Sequence, residues 1–262
     1  MLDNLHSLHL IEIEVVATKT GDITSSLNRA LHAQVINWIG EVDENIARQI
    51  HNSQVSPLTV SGLLGRLDRS RVQAGREMNF RVGIMDGRIL LPLLQALDRV
   101  EKDTLYLTEF PFKIKQVSAM PETNSAAQFS TYEDLAKIPK ADDRIELQFL
   151  SPTSFKQGSQ IIQPFPLPEL VFNGLLRRWN VFTPPALRFQ VVEWQGMIAA
   201  YDLKTQSLKM KADEIGSIGW IRYEFPNSEQ ARIATVLSHF AEYAGVGRKT
   251  AMGMGQVRLT SH

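Results

Sequence analysis

Cysteine is absent from the 262 residues, which excludes disulfides, thiolate chemistry and Cys-ligated zinc. An excess of charge of either sign is also missing. The 28 basic and 28 acidic side chains cancel, so the chain as a whole has no general attraction to nucleic acid, and any polyanion-binding surface needs segregated charge. No stretch approaches the roughly 18 consecutive apolar residues of a membrane-spanning helix. The start, Met1-Leu2-Asp3-Asn4, has no basic segment followed by an apolar run, so no secretory signal is expected. Nor is there a Gly-x-Ser-x-Gly elbow for a serine hydrolase. Together these absences predict a cytoplasmic protein outside the membrane. A hydrophobic content of 44% and a charged content of 21% are those of an ordinary globular chain. The length suits one large core or two of about 100–150 residues.

What is present is a concentration of glycine near the end. Gly245-Val-Gly-Arg-Lys-Thr-Ala-Met-Gly-Met-Gly255 holds two Gly-x-Gly units around five residues, among them Arg248 and Lys249. Glycine admits positive φ and close backbone approach, and consecutive free N–H groups form an anion-binding concavity. Upstream, Ile233, Val236, Leu237, Phe240 and Ala244 recur at helical spacing, with Asn227 and Gln230 as a cap pair and Gly245 at the C′ position. Downstream, Val257 and Leu259 alternate with polar residues as a short strand. The loop therefore joins a helix to a strand, the reverse of a Walker A loop. The dinucleotide fingerprint fails too, since Thr250 stands where its third glycine belongs. The bland alternative is a turn that serves packing alone.

Read in order, residues 8–16 alternate as a strand. A helix follows, with a cap near Thr24, the stripe Leu27, Leu31, Val35 and Trp38, and an end at Gly40. A second helix over about 43–51 finishes at His51. Strand 80–84, a tight turn at Asp86-Gly87, helix 89–97 with Pro92 in its first turn, and strands near 105–107 and 112–114 complete a split β-α-β unit. The same order returns as strand 145–150, a helix opening on Pro168, strands around 187–202, 206–211 and 216–224, helix 228–244 and strand 256–260. The expectation is an α+β protein of two tandem ferredoxin-like (RRM-like) domains with antiparallel sheets. Their bounds are 1–122 and 144–262, with a polar linker at 123–143 that carries a short helix near Tyr132–Ala136.

The glycine loop, with Leu31-His-Ala-Gln-Val-Ile-Asn-Trp-Ile39, Ser56-Pro-Leu-Thr-Val-Ser61, Ser151-Pro-Thr-Ser-Phe155 and Pro168-Glu-Leu-Val-Phe172, resembles the CRISPR-associated endoribonucleases that process repeat RNA into guide RNA. These belong to the repeat-associated ferredoxin-like RNA-binding superfamily, and the matching stretches follow the family's order over nearly the whole chain. The resemblance implies a metal-independent cleavage in which the substrate 2′-hydroxyl attacks the adjacent phosphorus, leaving a 2′,3′-cyclic phosphate and a 5′-hydroxyl. Histidine suits the two proton transfers, because its ordinary pKa of about 6.5 populates both forms near neutrality. Of six histidines, His32 and His51 lie on consecutive helices that a helical hairpin can bring together.

Ile50-His51 matches the family's recurrent catalytic histidine. The family's tyrosine partner is missing, because that region reads Val35-Ile36-Asn37, and no lysine falls between Lys19 and Lys102. His32 is therefore the candidate partner of His51. For RNA contact the candidates are Gly245, Gly247, Arg248, Lys249, Gly253 and Gly255 of the loop, then Arg66, Arg69 and Arg71, then Arg177 and Arg178. Lys204, Lys209 and Lys211 follow, on an expected hairpin. No cofactor or metal is expected, as no third histidine or spaced carboxylate accompanies the pair. The expected partner is CRISPR repeat RNA, with other CRISPR effector subunits and homodimerisation left open. The alternative is a non-catalytic RNA-binding subunit of a guide-RNA complex.

Overall fold

The computed structural model describes residues 5–24, 26–64, 71–100, 104–120, 127–138, 143–158, 161–210 and 213–260. The chain divides into two units, Met1–Phe129 with Ala251–Gly253, and Ser130–Thr250 with Met254–His262.

The first unit is built on β1 (Ser7–Ala17), whose Ile11, Ile13 and Val15 are fully buried on one face. In chain order follow β2 (Gly21–Asp22), α1 (Leu27–Val42), α2 (Glu44–Asn52), β3 (Leu58–Val60), β4 (Arg71–Val72), β5 (Glu77–Ile84), α3 (Leu90–Val100), β6 (Thr104–Leu107) and β7 (Phe110–Ser118). The main sheet is ordered β3-β5-β1-β7-β6 with antiparallel neighbours, and β2 pairs with β4 separately. This order, with α1 and α3 as the two crossovers, is the ferredoxin-like one.

The cap of α1, expected at Thr24 or a nearby polar residue, is Ser26, whose side chain makes no cap bond. Gly40 does not end α1, which runs on to Val42. A Cβ there would lie 3.3 Å from the Ala47 Cβ, so the glycine serves the close approach of α2. The break falls at Asp43, in extended backbone, whose carboxylate accepts the Ile46 N–H at 3.0 Å and starts α2. Asp86 likewise opens a 3₁₀ turn, Gly87–Ile89, that leads directly into α3.

The second unit comprises α4 (Tyr132–Ala136), entered from β8 (Gln128–Thr131), then β9 (Arg144–Thr153), the hairpin β10 (Phe155–Gln157) and β11 (Ile161–Gln163), α5 (Pro168–Phe182), β12 (Met197–Leu208), β13 (Glu214–Glu224), α6 (Ser228–Ala244) and β14 (Val257–Thr260). Its antiparallel sheet runs β12-β13-β9-β14, again ferredoxin-like. Phe172, Trp179, Tyr223 and Phe240 fill the core, and Tyr132 of α4 meets Trp179 edge-on at 5.1 Å.

The strands expected around 187–202 and 206–211 are one strand, β12, preceded by an unpaired extended strap over 188–196. The strap alternates because it packs on helices. Phe189 stacks on Trp179 at 5.5 Å, Trp194 meets Phe172 at 5.1 Å, and the Gln230 side chain bonds the backbone of Glu193 and Gln195. Among the described residues no helix is long and apolar enough to cross a membrane.

Candidate functional site

On α1 the row Asn28, His32, Ile36 repeats one turn apart. His32 is half-buried, and its Nδ1 is buried with no hydrogen-bond partner. The turn at Asp43 folds α2 back on α1, and His51 occupies the last turn of α2, exposed to solvent. Burial first, and then the charge of His51, lower the pKa of His32 below the ordinary histidine value. The fold therefore brings the two histidines within electrostatic reach of each other.

The same face of α1 meets Gly253, which belongs to the first unit. Within the first unit, the Gly253 N–H donates to the Val60 carbonyl at 2.9 Å, and Gly253 bridges Ser61 beside the end of β3. A Cβ on Gly253 would lie 2.7 Å from Asn28 Nδ2, and one on Gly62 would lie 2.8 Å from Asn28 Oδ1. Asn28, one turn before His32, is held between two backbones that only glycine permits. Neither Asn28 nor Gly62 stands out in the sequence. The i, i+4 relation of Asn28 to His32 was the only hint.

In the second unit the loop is closed by backbone contact. Gly245 ends α6 at φ +63°, Gly247 has φ +81° and Gly255 φ +69°. A Cβ on Gly255 would sit 2.1 Å from the Val246 carbonyl oxygen, and one on Gly247 2.4 Å from that of Ser154. Lys249 takes φ +56° with a side chain attached, a conformation that non-glycine residues adopt rarely. Both loop cations, Arg248 and Lys249, are paired with the carboxylate of Glu214 at the start of β13. Desolvation acts to raise the Glu214 pKa. The hydrogen bond from Lys249 and the charges of Arg248 and Lys249 outweigh it, leaving the pKa below the usual value. Glu214 lies 34 residues before Arg248, and nothing local in the sequence connects them.

The other cations are dispersed. Arg178 turns inward onto the loop, donating to the carbonyls of Ala244, Gly245 (3.0 Å) and Gly247 (2.7 Å). Burial, with the neighbouring charge of Arg177, lowers its pKa to about 10. It braces the end of α6, where unpaired carbonyls favour a cation. Arg177 is exposed on α5, and Arg71 is exposed on β4. Arg66, Arg69 and Lys211 lie outside the described residues. Among the described residues no group of three or more histidines and carboxylates could hold a metal ion. His9 is sealed beneath Phe129 with its Nε2 on the Ser7 hydroxyl at 2.9 Å, and burial lowers its pKa to about 4.

A family model described as CRISPR-associated endoribonuclease Cas6 matches residues 147–257, which run from β9 through the glycine loop. A CRISPR-associated endoribonuclease Cas6 of Streptococcus thermophilus is 22% identical over 229 residues, 84% of this chain and 86% of that one. Among solved structures, Thermus thermophilus Cas6 superposes with a TM-score of 0.74 at 22% identity, covering 97% of this chain and 99% of that chain. In its product complex the TM-score is 0.83. Another Cas6 product complex has a TM-score of 0.76 at 25% identity, covering 97% of this chain and 100% of that chain.

Proposed function

We propose that the chain is a CRISPR-associated endoribonuclease that cuts CRISPR repeat RNA, as its likeness to the Cas6 proteins supports, and that it cuts without a metal, using the substrate's own 2′-hydroxyl as nucleophile. A base removes the 2′-OH proton, the oxygen attacks the neighbouring phosphorus in line, and an acid protonates the departing 5′-oxygen. The products are a 2′,3′-cyclic phosphate and a 5′-hydroxyl.

His32 and His51 are the residues proposed for the two transfers. The observation that carries this reading is the packing of α2 back on α1, which sets exposed His51 within electrostatic reach of half-buried His32. Burial, and then the charge of His51, favour the neutral form of His32, the form a base requires. Solvent-exposed His51 is then the donor to the leaving oxygen. The proton that His32 takes from the 2′-hydroxyl passes to water and His51 takes one from water, so both return to their starting forms after each turnover. In the other unit, Arg248 and Lys249 exchange the Glu214 carboxylate for backbone phosphates.

The test is single-turnover cleavage of repeat RNA in EDTA by His51→Ala and His32→Ala. General acid–base groups contribute about 10²–10⁴-fold, so each variant is expected to lose at least 100-fold in rate while its RNA affinity stays within about twofold. Wild-type rates in His51→Ala would remove that residue from the site. Undiminished binding with no cutting in wild type would favour the non-catalytic subunit.

A further inference from the structure

The helix-free face of the C-terminal sheet carries a row of four register partners that crosses all four strands: Asp202 on β12, Trp220 on β13, Gln148 on β9 and Arg258 on β14. Leu147, Phe149, Ile221 and Tyr223 of the same strands are buried toward the helices, so this row looks away from the core. The next row, Ala200, Arg222, Glu146 and Thr260, is closed electrostatically, because Arg222 pairs with Glu146 at 2.8 Å. The Arg222 guanidinium also lies over the Trp220 ring at 5.7 Å from its centroid.

Between the first row and Lys204, the face opens into a cleft of about 520 Å³ lined by Gln148, Leu150, Asp202, Lys204, Ile218 and Trp220. The cleft depends on a bulge. The register shifts between Ser217 and Gly219, and Gly219 has φ +117° with space for no Cβ, which would lie 2.1 Å from the Asp202 carbonyl oxygen. Bulges of this kind bend a strand and re-aim the next side chain, here Trp220.

We propose that this cleft is a second RNA site, separate from the histidines and the glycine loop, that takes one unpaired nucleotide of the transcript flanking the repeat. The proposal rests on the RNA-processing reading above for the identity of its ligand. A half-exposed indole in a middle strand, with a cation behind it, is a stacking platform for a base, and an open four-stranded sheet presents such platforms to single-stranded RNA. The volume is within the about 300–1,000 Å³ of small-ligand sites and accommodates one nucleotide. Lys204 and Arg258 are exposed on either side of Trp220 and are placed for the flanking phosphates. Asp202 can only accept hydrogen bonds, so it favours a base with an exocyclic amine over uracil, whose one ring donor, N3–H, lies between two carbonyl oxygens that a carboxylate repels. Gln148 can both donate and accept on the same base edge.

The test uses the full chain and eight-nucleotide unpaired oligoribonucleotides unrelated to the repeat, one of adenine and one of uracil. Binding is followed by anisotropy and by tryptophan fluorescence. Base–aromatic stacking contributes about 1–3 kcal/mol, so Trp220→Ala is expected to weaken adenine binding by about 5- to 150-fold and to abolish the fluorescence quench, with Trp220→Phe restoring most of the affinity. Asp202→Asn should narrow the preference of adenine over uracil. Lys204→Gln, a surface change that does not depend on refolding the sheet, should lower the salt sensitivity of binding. Equal affinity of wild type, Trp220→Ala and Lys204→Gln would overturn the proposal, and so would binding with no quench. Because binding is read without cleavage, an inactive nuclease leaves this result standing, and an active nuclease does not supply it.

Discussion

Replacing Glu214 by Gln tests whether the two loop cations are held in reserve for RNA. In the structure one carboxylate faces both Arg248 and Lys249, and its side chain is 12% exposed. The substitution keeps the shape, removes one negative charge and releases two cations. If both meet phosphates, the released charge is equivalent to between one and two phosphate contacts. At about 0.7 in the salt exponent per contact on single strands, the plot of log affinity against log salt should steepen by about 0.7–1.4. Each broken surface pair is worth about 0.2–1 kcal/mol, so binding at low salt should tighten by roughly 2- to 30-fold. Filter binding of repeat RNA across a range of salt concentrations reads both quantities. An unchanged slope with unchanged affinity would exclude such a reserve, since the cations would then never leave Glu214. Weaker binding would mean that Glu214 is needed to shape the loop instead.

Three more outcomes follow from the same geometry. Gly255→Ala places a Cβ 2.1 Å from the Val246 carbonyl, whereas Gly158→Ala has the same hand of φ but open space. In thermal denaturation Gly255→Ala should cost about 2–3 kcal/mol or more and Gly158→Ala about 1, and equal losses would contradict the close-approach account. His9 has a folded pKa of about 4 against its ordinary 6.5. The stability it contributes is therefore full above pH 6.5 and is lost as pH falls toward 4. At about 1.4 kcal/mol per unit, less solvent screening, urea midpoints should report a loss of about 2 kcal/mol that His9→Phe removes; an identical acid profile in that variant would exclude His9. Removing the His51 charge with His51→Gln should raise the His32 pKa in an NMR titration, and an unmoved titration would separate the two rings.

Elements whose cues are local were legible in the sequence. The helix Ser228–Ala244 carries its Asn227 cap, its apolar row and its terminal glycine within one short window, and its bounds match. Pro168 announces α5 in the same way. What failed was decided by neighbours distant in sequence. Gly40 reads as a stop, yet its missing side chain serves the packing of Ala47. The alternation of residues 188–196 reads as a strand, but Phe189 and Trp194 face helices. Arg178 beside Arg177 reads as an exposed basic pair, and only the fold shows its guanidinium among the carbonyls of the loop. The succession of α1 and α2 through one short turn was legible, and with it the nearness of His32 to His51. The seat of Asn28 between Gly62 and Gly253 was not, because it joins three separate segments.

The most direct measurement of the central claim is cleavage of repeat RNA in EDTA, comparing an all-ribose substrate with one bearing a single 2′-deoxy sugar at the scissile nucleotide. Attack by the substrate 2′-hydroxyl predicts full cutting of the first, with a 2′,3′-cyclic phosphate at the new end, and complete resistance of the second. Cutting of the deoxy substrate at the same bond, or loss of all activity on chelation, would contradict it.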